Sequence, residues 1–203
     1  YLSAAVTPRP IAFVSTIDSE GNKNLSPFSF FNVFSINPPI LVFSPVRRVR
    51  NNTSKHTLEN VQQIKECVIS LVTEEIAQQV SLASCDFDYE TNEFEKAGFT
   101  AIKSESISPS RIKESPINFE CKVNKVISLG KEGGAGSLVI CEVLKMHINE
   151  SILDENNSIN PFKLNIVSRL GANWYGKTNK DSVYEIAKPI SRMGMGIDNL
   201  PEE

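Results

Sequence analysis

"NFECKVNKVISLGKEGGAGSLVICEVLKMHI", residues 118–148, decides the fold class. Two runs of alternating side chains flank a glycine-rich loop, the pattern of a long β-hairpin. In the first run Phe119, Cys121, Val123, Ile127 and Leu129 share one face. In the second, Val139, Cys141 and Val143 share one parity, whereas Leu144, Met146 and Ile148 share the other. A strand alternates with a period of two, so this one-residue slip predicts a β-bulge near Val143–Leu144. The loop "GKEGGAGS" (130–137) lacks the G-x-x-x-x-G-K-[ST] order of a phosphate loop and reads as a flexible turn.

Upstream, "IAFVSTID" (11–18), "LSPFSFFNVF" (25–34), "PPILVFSPV" (38–46) and "CVISLVT" (67–73) read as further strands. A short helix is predicted over 57–66, with Leu58, Val61 and Ile64 on one face. Thr73 is expected to cap a second helix running through "EEIAQQVSLAS" (74–84). A third helical piece is expected around Glu90–Ala97, inside a polar, irregular stretch over 86–115. Strands outnumber helices and no regular βαβ alternation appears. The expected fold is therefore mainly β with peripheral helices: an antiparallel sheet, curled into a barrel that removes the edges of its apolar strands. The 203 residues fit a single domain, with 178–203 as a C-terminal extension.

Composition narrows the function. Apolar residues make up 40% and charged residues 22%, ordinary values for a globular domain, and the net charge of −3 offers nothing global to nucleic acid or to anionic membranes. The chain has no apolar run long enough to span a bilayer and no leader pattern, so a cytoplasmic location is expected. Two histidines and four cysteines, none in a C-x-x-C pair, speak against a metal site. Cys67, Cys121 and Cys141 sit in apolar runs and read as reduced core residues.

One window departs from the average. With 24 acids in the chain, residues 21–58 should hold roughly four to five, yet they hold none. They carry Lys23, Arg47, Arg48, Arg50 and Lys55. Ser54, Lys55 and Thr57 fall at the entry of the first helix, where free N–H groups and a partial positive charge suit a phosphate. The arginines, Arg48 among them, add forked contacts. Just before the basic loop, "NLSPFSFFN" breaks strand regularity at Pro27, which has no N–H to give. Ser26, Ser29 and Asn32 then read as polar groups for a flat ligand set beside Phe28, whereas Phe30 and Phe34 read as core. "SRLGANWYGK" (168–177) reads equally as aromatic anchors on the core or as a contact to ligand or subunit. A lone "GMG" at 194–196 has no dinucleotide-binding context.

The segment "TPRPIAFVSTIDSEGNKNLSPFSFFNVFSINPPILVFS" (7–44) closely resembles the opening of the flavin reductase-like family. "SKHTLENV" and "SRLGANWYGK" resemble that family's helix entry and its late Arg-Leu-Gly…Tyr element. The resemblance implies an FMN-binding split β-barrel of Greek-key type, working as a homodimer with FMN near the subunit interface. It implies that Thr16 and the backbone of Ser26, Pro27, Phe28 and Ser29 line the isoalloxazine and that Asn32 faces it. Arg48, Ser54, Lys55 and Thr57 would hold the phosphate, and Arg169, Trp174 and Tyr175 would lie near the cofactor or the partner subunit. His56 stands where the family often has Asp. The implied activity is transfer of hydride from NADH or NADPH to FMN, possible supply of a monooxygenase component included, with no catalytic side chain named. The alternative is an FMN-binding electron carrier or flavin store without nicotinamide activity. A basic-loop module for nucleic acid ranks below both because of the net charge.

Overall fold

The computed structural model describes residues 1–85, 87 and 91–186. Its centre is a seven-stranded antiparallel sheet. After a short helix α1 (Leu2–Ala5), the sheet takes β1 (Ala12–Ile17), β2 (Lys23–Phe28), β3 (Phe31–Ser35) and β4 (Ile40–Phe43). Helix α2 (His56–Gln63) then leads to β5 (Glu66–Leu71), followed by α3 (Ala77–Leu82) and α4 (Glu93–Lys96). A small pair, β6 (Ala101–Ile102) and β7 (Arg111–Ile112), precedes the long hairpin β8 (Ile117–Ser128) and β9 (Ser137–Ile148). Helix α5 (Pro161–Leu164) and the hairpin β10 (Val167–Gly171)–β11 (Trp174–Lys177) follow.

The order β2-β1-β5-β8-β9-β4-β3 places two strands of another hairpin between β4 and β5, as the Greek-key reading requires. The sheet curls, but β2 and β3 do not pair with each other, and the barrel stays split along that seam. This is the split barrel that the family resemblance implies; the closure expected from the apolar strand edges does not occur. The chain itself crosses the seam at Ser29–Phe30, where the Ser44 N–H donates to the Phe30 carbonyl at 2.8 Å.

Strand β1 reads as a continuous apolar run because both of its faces are covered. Ala12 and Val14 point into the barrel with Phe28, Phe43, Cys67, Cys121 and Cys141. Ile11 and Phe13 point outward, under Val80, Phe94 and Phe99. Leu58 and Val61 of α2 plug the barrel interior; Lys65, at a φ of 61°, ends the segment after Ile64, so the helix stops short of the expected Glu66. The three buried cysteines are free thiols, with Cys67 and Cys141 sulfurs 3.8 Å apart. The expected bulge is present: Glu120 faces Lys145 while Cys121 faces Val143, leaving Leu144 as the extra residue. A second register shift leaves Asn124 unpaired on β8 and brings Val126, rather than the expected Ile127, against the core.

Three other expectations change. Thr73 caps nothing; it bridges Ile166, and α3 begins only at Ala77, after a turn. Phe30 and Phe34 are not core: they are 45% and 68% exposed. Strand β3 lies at the sheet edge and Phe34 is the unpaired residue of a bulge, so these rings face outward. The loop after β8 is not a free turn. The Arg47 N–H donates to Ala135 O at 2.9 Å, and Gly134 N–H returns a bond to Arg47 O at 3.0 Å. Gly133 lies so close that a Cβ there would sit 3.0 Å from the Val49 Cα. Glu90 and the "GMG" at 194–196 lie outside the described residues.

Candidate functional site

Two adjoining cavities open at the seam. One, of about 260 Å³, is lined by Ser26, Pro27, Phe28, Ser29 and Phe30 on one side and by Ser44, Val46, Lys55 and Ser84 on the other. The second, of about 300 Å³, shares Pro27, Phe28, Ser29 and Ser84. It continues past Ser81 and Val80 to Arg169, Asn173 and Tyr175. The proline-containing strand and the entry of α2 thus meet across one continuous depression.

Strand β2 is an edge strand that pairs only with β1. Alternate backbone groups on its free side have no strand to bond, and Pro27 is tolerated there because no ladder partner needs its missing N–H. The chain bends at Ser29–Phe30, two residues beyond the proline break expected from sequence. Phe28 turns inward, 8% exposed and 5.4 Å from the Phe43 ring, and forms the apolar floor shared by both cavities.

The basic loop folds on itself before α2. The Arg48 N–H donates to Thr53 O at 2.9 Å, and its guanidinium reaches the Thr53 hydroxyl at 3.2 Å and the Ser54 carbonyl. Arg47 reaches the Ser54 hydroxyl at 3.3 Å and the Asn52 side chain at 2.7 Å. Lys55 is the N-cap residue of α2, and no side chain caps the helix there. The Lys55 carbonyl accepts the Leu58 N–H at 2.9 Å, and the partial positive charge of the helix start faces the Lys55 side of the cavity. Gly136 supports the opposite wall: a Cβ there would lie 2.6 Å from the Ser44 hydroxyl.

Among the described residues no carboxylate lines either cavity. With Lys55 at one end and Arg169 at the other, the depression suits an anion. Arg169 lies 4.5 Å over the Tyr175 ring and also donates to the Ala172 carbonyl.

The remaining expected residues sit elsewhere. Thr16 and Thr57 are fully buried behind the cavity wall. The Thr57 hydroxyl donates to Asn24 Oδ1 at 2.7 Å, Asn60 donates to the Thr16 hydroxyl at 3.0 Å, and Asn24 donates to Glu93 at 2.8 Å. Glu93 also accepts the Leu25 N–H at 3.2 Å. Burial dominates at this carboxyl and pushes its pKa up. Asn32 lies exposed on β3, its side chain accepting the Val33 N–H, and lines neither cavity. Trp174 is 74% exposed and also lines neither. Sequence reasoning passed over Ser44, Ser81, Ser84 and Arg9. Ser44, a polar residue closing the apolar run "ILVF", carried a readable signal; Ser81 and Ser84 carried none, because only the packing of α3 brings them to β2.

Residues 4–164 match the flavin reductase like domain family. This chain belongs to that family. It is 30% identical to nitrilotriacetate monooxygenase component B from Bacillus cereus, covering 91% of this chain and 90% of that one at a TM-score of 0.84. It is 31% identical to the 2-nitrobenzoate 2-nitroreductase NbaA of Pseudomonas fluorescens, covering 96% and 92% at a TM-score of 0.81. An uncharacterised protein of Aquifex aeolicus is 40% identical over 172 residues, 85% of each chain.

Proposed function

We propose that this protein binds FMN and reduces it with NADH or NADPH. The observation that carries the reading is the double cavity, lined by no carboxylate among the described residues, with an edge strand along its wall, Lys55 at the helix entry and a second cation at Arg169. The phosphate is assigned to Lys55, with Ser54 and Arg48 in the loop just behind it and outside the cavity lining, and the ring system to Ser26–Ser29 over Phe28. Bound flavin supplies the hydride chemistry. The protein's part is to anchor the phosphate, orient the ring and leave one face open to a nicotinamide. His56 follows Lys55 as the first residue of α2, so the helix entry keeps its lysine at the position next to the family's Asp.

Likeness to a monooxygenase component supports a role in supplying reduced flavin to a partner oxygenase. A homodimer is supported by exposed apolar side chains on β3 and nearby: Val33, Phe34 and Ile36 are 52%, 68% and 83% exposed. Among the described residues no helix is long and apolar enough to cross a membrane, and a cytoplasmic location belongs to the same proposal. A second reading, in which bound flavin reduces a small organic acceptor, draws on the likeness to the nitroreductase and on the cavity reaching Arg169.

The test is to purify the protein, release and identify any yellow pigment, and follow NADH and NADPH oxidation with added FMN. Turnover with either nucleotide is expected. An FMN-loaded preparation that dithionite reduces but neither nucleotide does would instead make the protein a flavin carrier.

A further inference from the structure

Arg9 is a buried cation that the reading above leaves without a task. It is 8% exposed. Its guanidinium donates to the Val6 carbonyl at 2.7 Å, to the Ser3 carbonyl, and to the Ser29 hydroxyl at 3.4 Å. It also lies 5.7 Å from the centre of the Phe30 ring. Among the described residues none of these partners is a carboxylate. A buried charge with only neutral partners carries an uncompensated desolvation cost and projects its field through a medium that screens it poorly.

Its backbone is held as firmly. Pro10 follows it and restricts Arg9 to extended conformations. Arg9 then exchanges both backbone hydrogen bonds with Arg169, at 3.0 and 2.9 Å. One residue therefore joins the Arg169 wall to the Ser29–Phe30 bend, and its charge stands one hydroxyl behind a wall common to both cavities.

We propose that Arg9 is a positioning residue for the flavin ring: it fixes the Ser29–Phe30 bend and sets a standing positive charge behind it, which raises the site's affinity for reduced flavin relative to its affinity for oxidised flavin. This rests on the FMN reading of the site. Reduction by two electrons with uptake of one proton leaves the flavin with one more negative charge than before. The Arg9 field stabilises that charge without meeting the substrate.

The experiment uses the full chain loaded with FMN. The midpoint potential of bound FMN, compared with free FMN, gives the ratio of affinities for the reduced and oxidised forms. Arg9→Gln is expected to cut that ratio about tenfold, equivalent to a fall of about 30 mV for a two-electron couple. Arg9→Lys, which keeps the charge and loses the fork, is expected to hold the ratio within about twofold. A folded Arg9→Gln protein that binds oxidised FMN with an unchanged ratio overturns the proposal, even if its melting temperature falls. Should Arg9→Gln not fold, the unaltered protein decides. Its reduced FMN is expected to stay anionic at pH values where free reduced FMN takes up a proton, and titration like the free cofactor overturns the idea. Failure of the unaltered protein to bind FMN in either form removes the flavin reading itself, and this inference with it.

Discussion

The molecule buries a glutamate on each side of its barrel, and the two behave oppositely. Glu120 on β8 is 0% exposed, yet it accepts the N–H groups of Glu105 at 2.9 Å and Ser106 at 2.7 Å. His147 reaches it at 2.7 Å, and Arg111 stands 3.6 Å away. Burial alone would raise its pKa, but these donors outweigh burial and hold it below the ordinary glutamate value. Glu93 on α4, behind β2, accepts from the neutral Asn24 amide and the Leu25 N–H, and burial wins. A cation and two aligned N–H groups make a closed ionic clamp, which ties the loop before β7 to the barrel. Neutral donors make a polar scaffold behind the strand that faces the cavity. That contrast separates the clamp from the end of the molecule that holds the two cavities.

The comparison breaks most visibly by removing the clamp. Glu120→Ala leaves His147 and two N–H groups without their acceptor and is expected to cost about 3–5 kcal/mol in denaturant unfolding. FMN affinity of the folded fraction should stay within twofold, roughly the error of such titrations. A large loss of affinity would mean that the two ends are coupled. At the cavity end the pattern inverts. Lys55→Glu puts a like charge beside the proposed phosphate and is expected to weaken FMN binding about tenfold, about 1.4 kcal/mol, with little change in stability. Unchanged affinity removes Lys55 from the site.

Acidity sharpens the contrast further. The folded pKa of Glu120 is depressed from 4.5, so its stabilising contribution is complete above that value and is lost as pH falls through the folded pKa. The folded pKa of Glu93 is raised from the same value, so its contribution is complete below 4.5 and is lost as pH rises through the folded pKa. Glu120→Gln should therefore flatten the acid limb of the stability–pH curve, and Glu93→Gln should flatten the decline above it. Identical curves for the two variants would contradict the assignment. The smallest effect is expected at Phe30→Ala. A ring 45% exposed at the seam should cost about 1 kcal/mol or less, far below the roughly 3–5 kcal/mol of a core phenylalanine. A core-sized loss would put Phe30 back inside the barrel.

Much of this was legible in the chain. The alternation in β8 and β9 located the hairpin and its bulge at Leu144, because side-chain parity is a local property of a strand. The acid-free window and the polar break at "NLSPFSFFN" marked the cavity wall, because charge and proline placement are also local. Other features were not legible. Phe30 and Phe34 look like core residues in sequence, and only the split seam and edge position of β3 expose them. Thr16 and Thr57 look like ligand donors, and only their neighbours Asn24 and Asn60 show that they are engaged with each other's network.

By itself, then, the sequence determined an antiparallel barrel with a cationic, carboxylate-poor first third, since period, turn chemistry and composition act over a few residues. Only the tertiary structure decided which groups converge. Ser84, Arg169 and Lys55 are far apart along the chain and meet at one depression because the barrel curls until α3 and the β10–β11 hairpin close on the seam. Arg9 is the sharpest instance: as a residue between two prolines it looks like part of a turn, and burial beside Ser29 and Arg169 makes it a charge with a direction. Convergence of distant residues depends on packing and desolvation, which no short stretch of chain encodes.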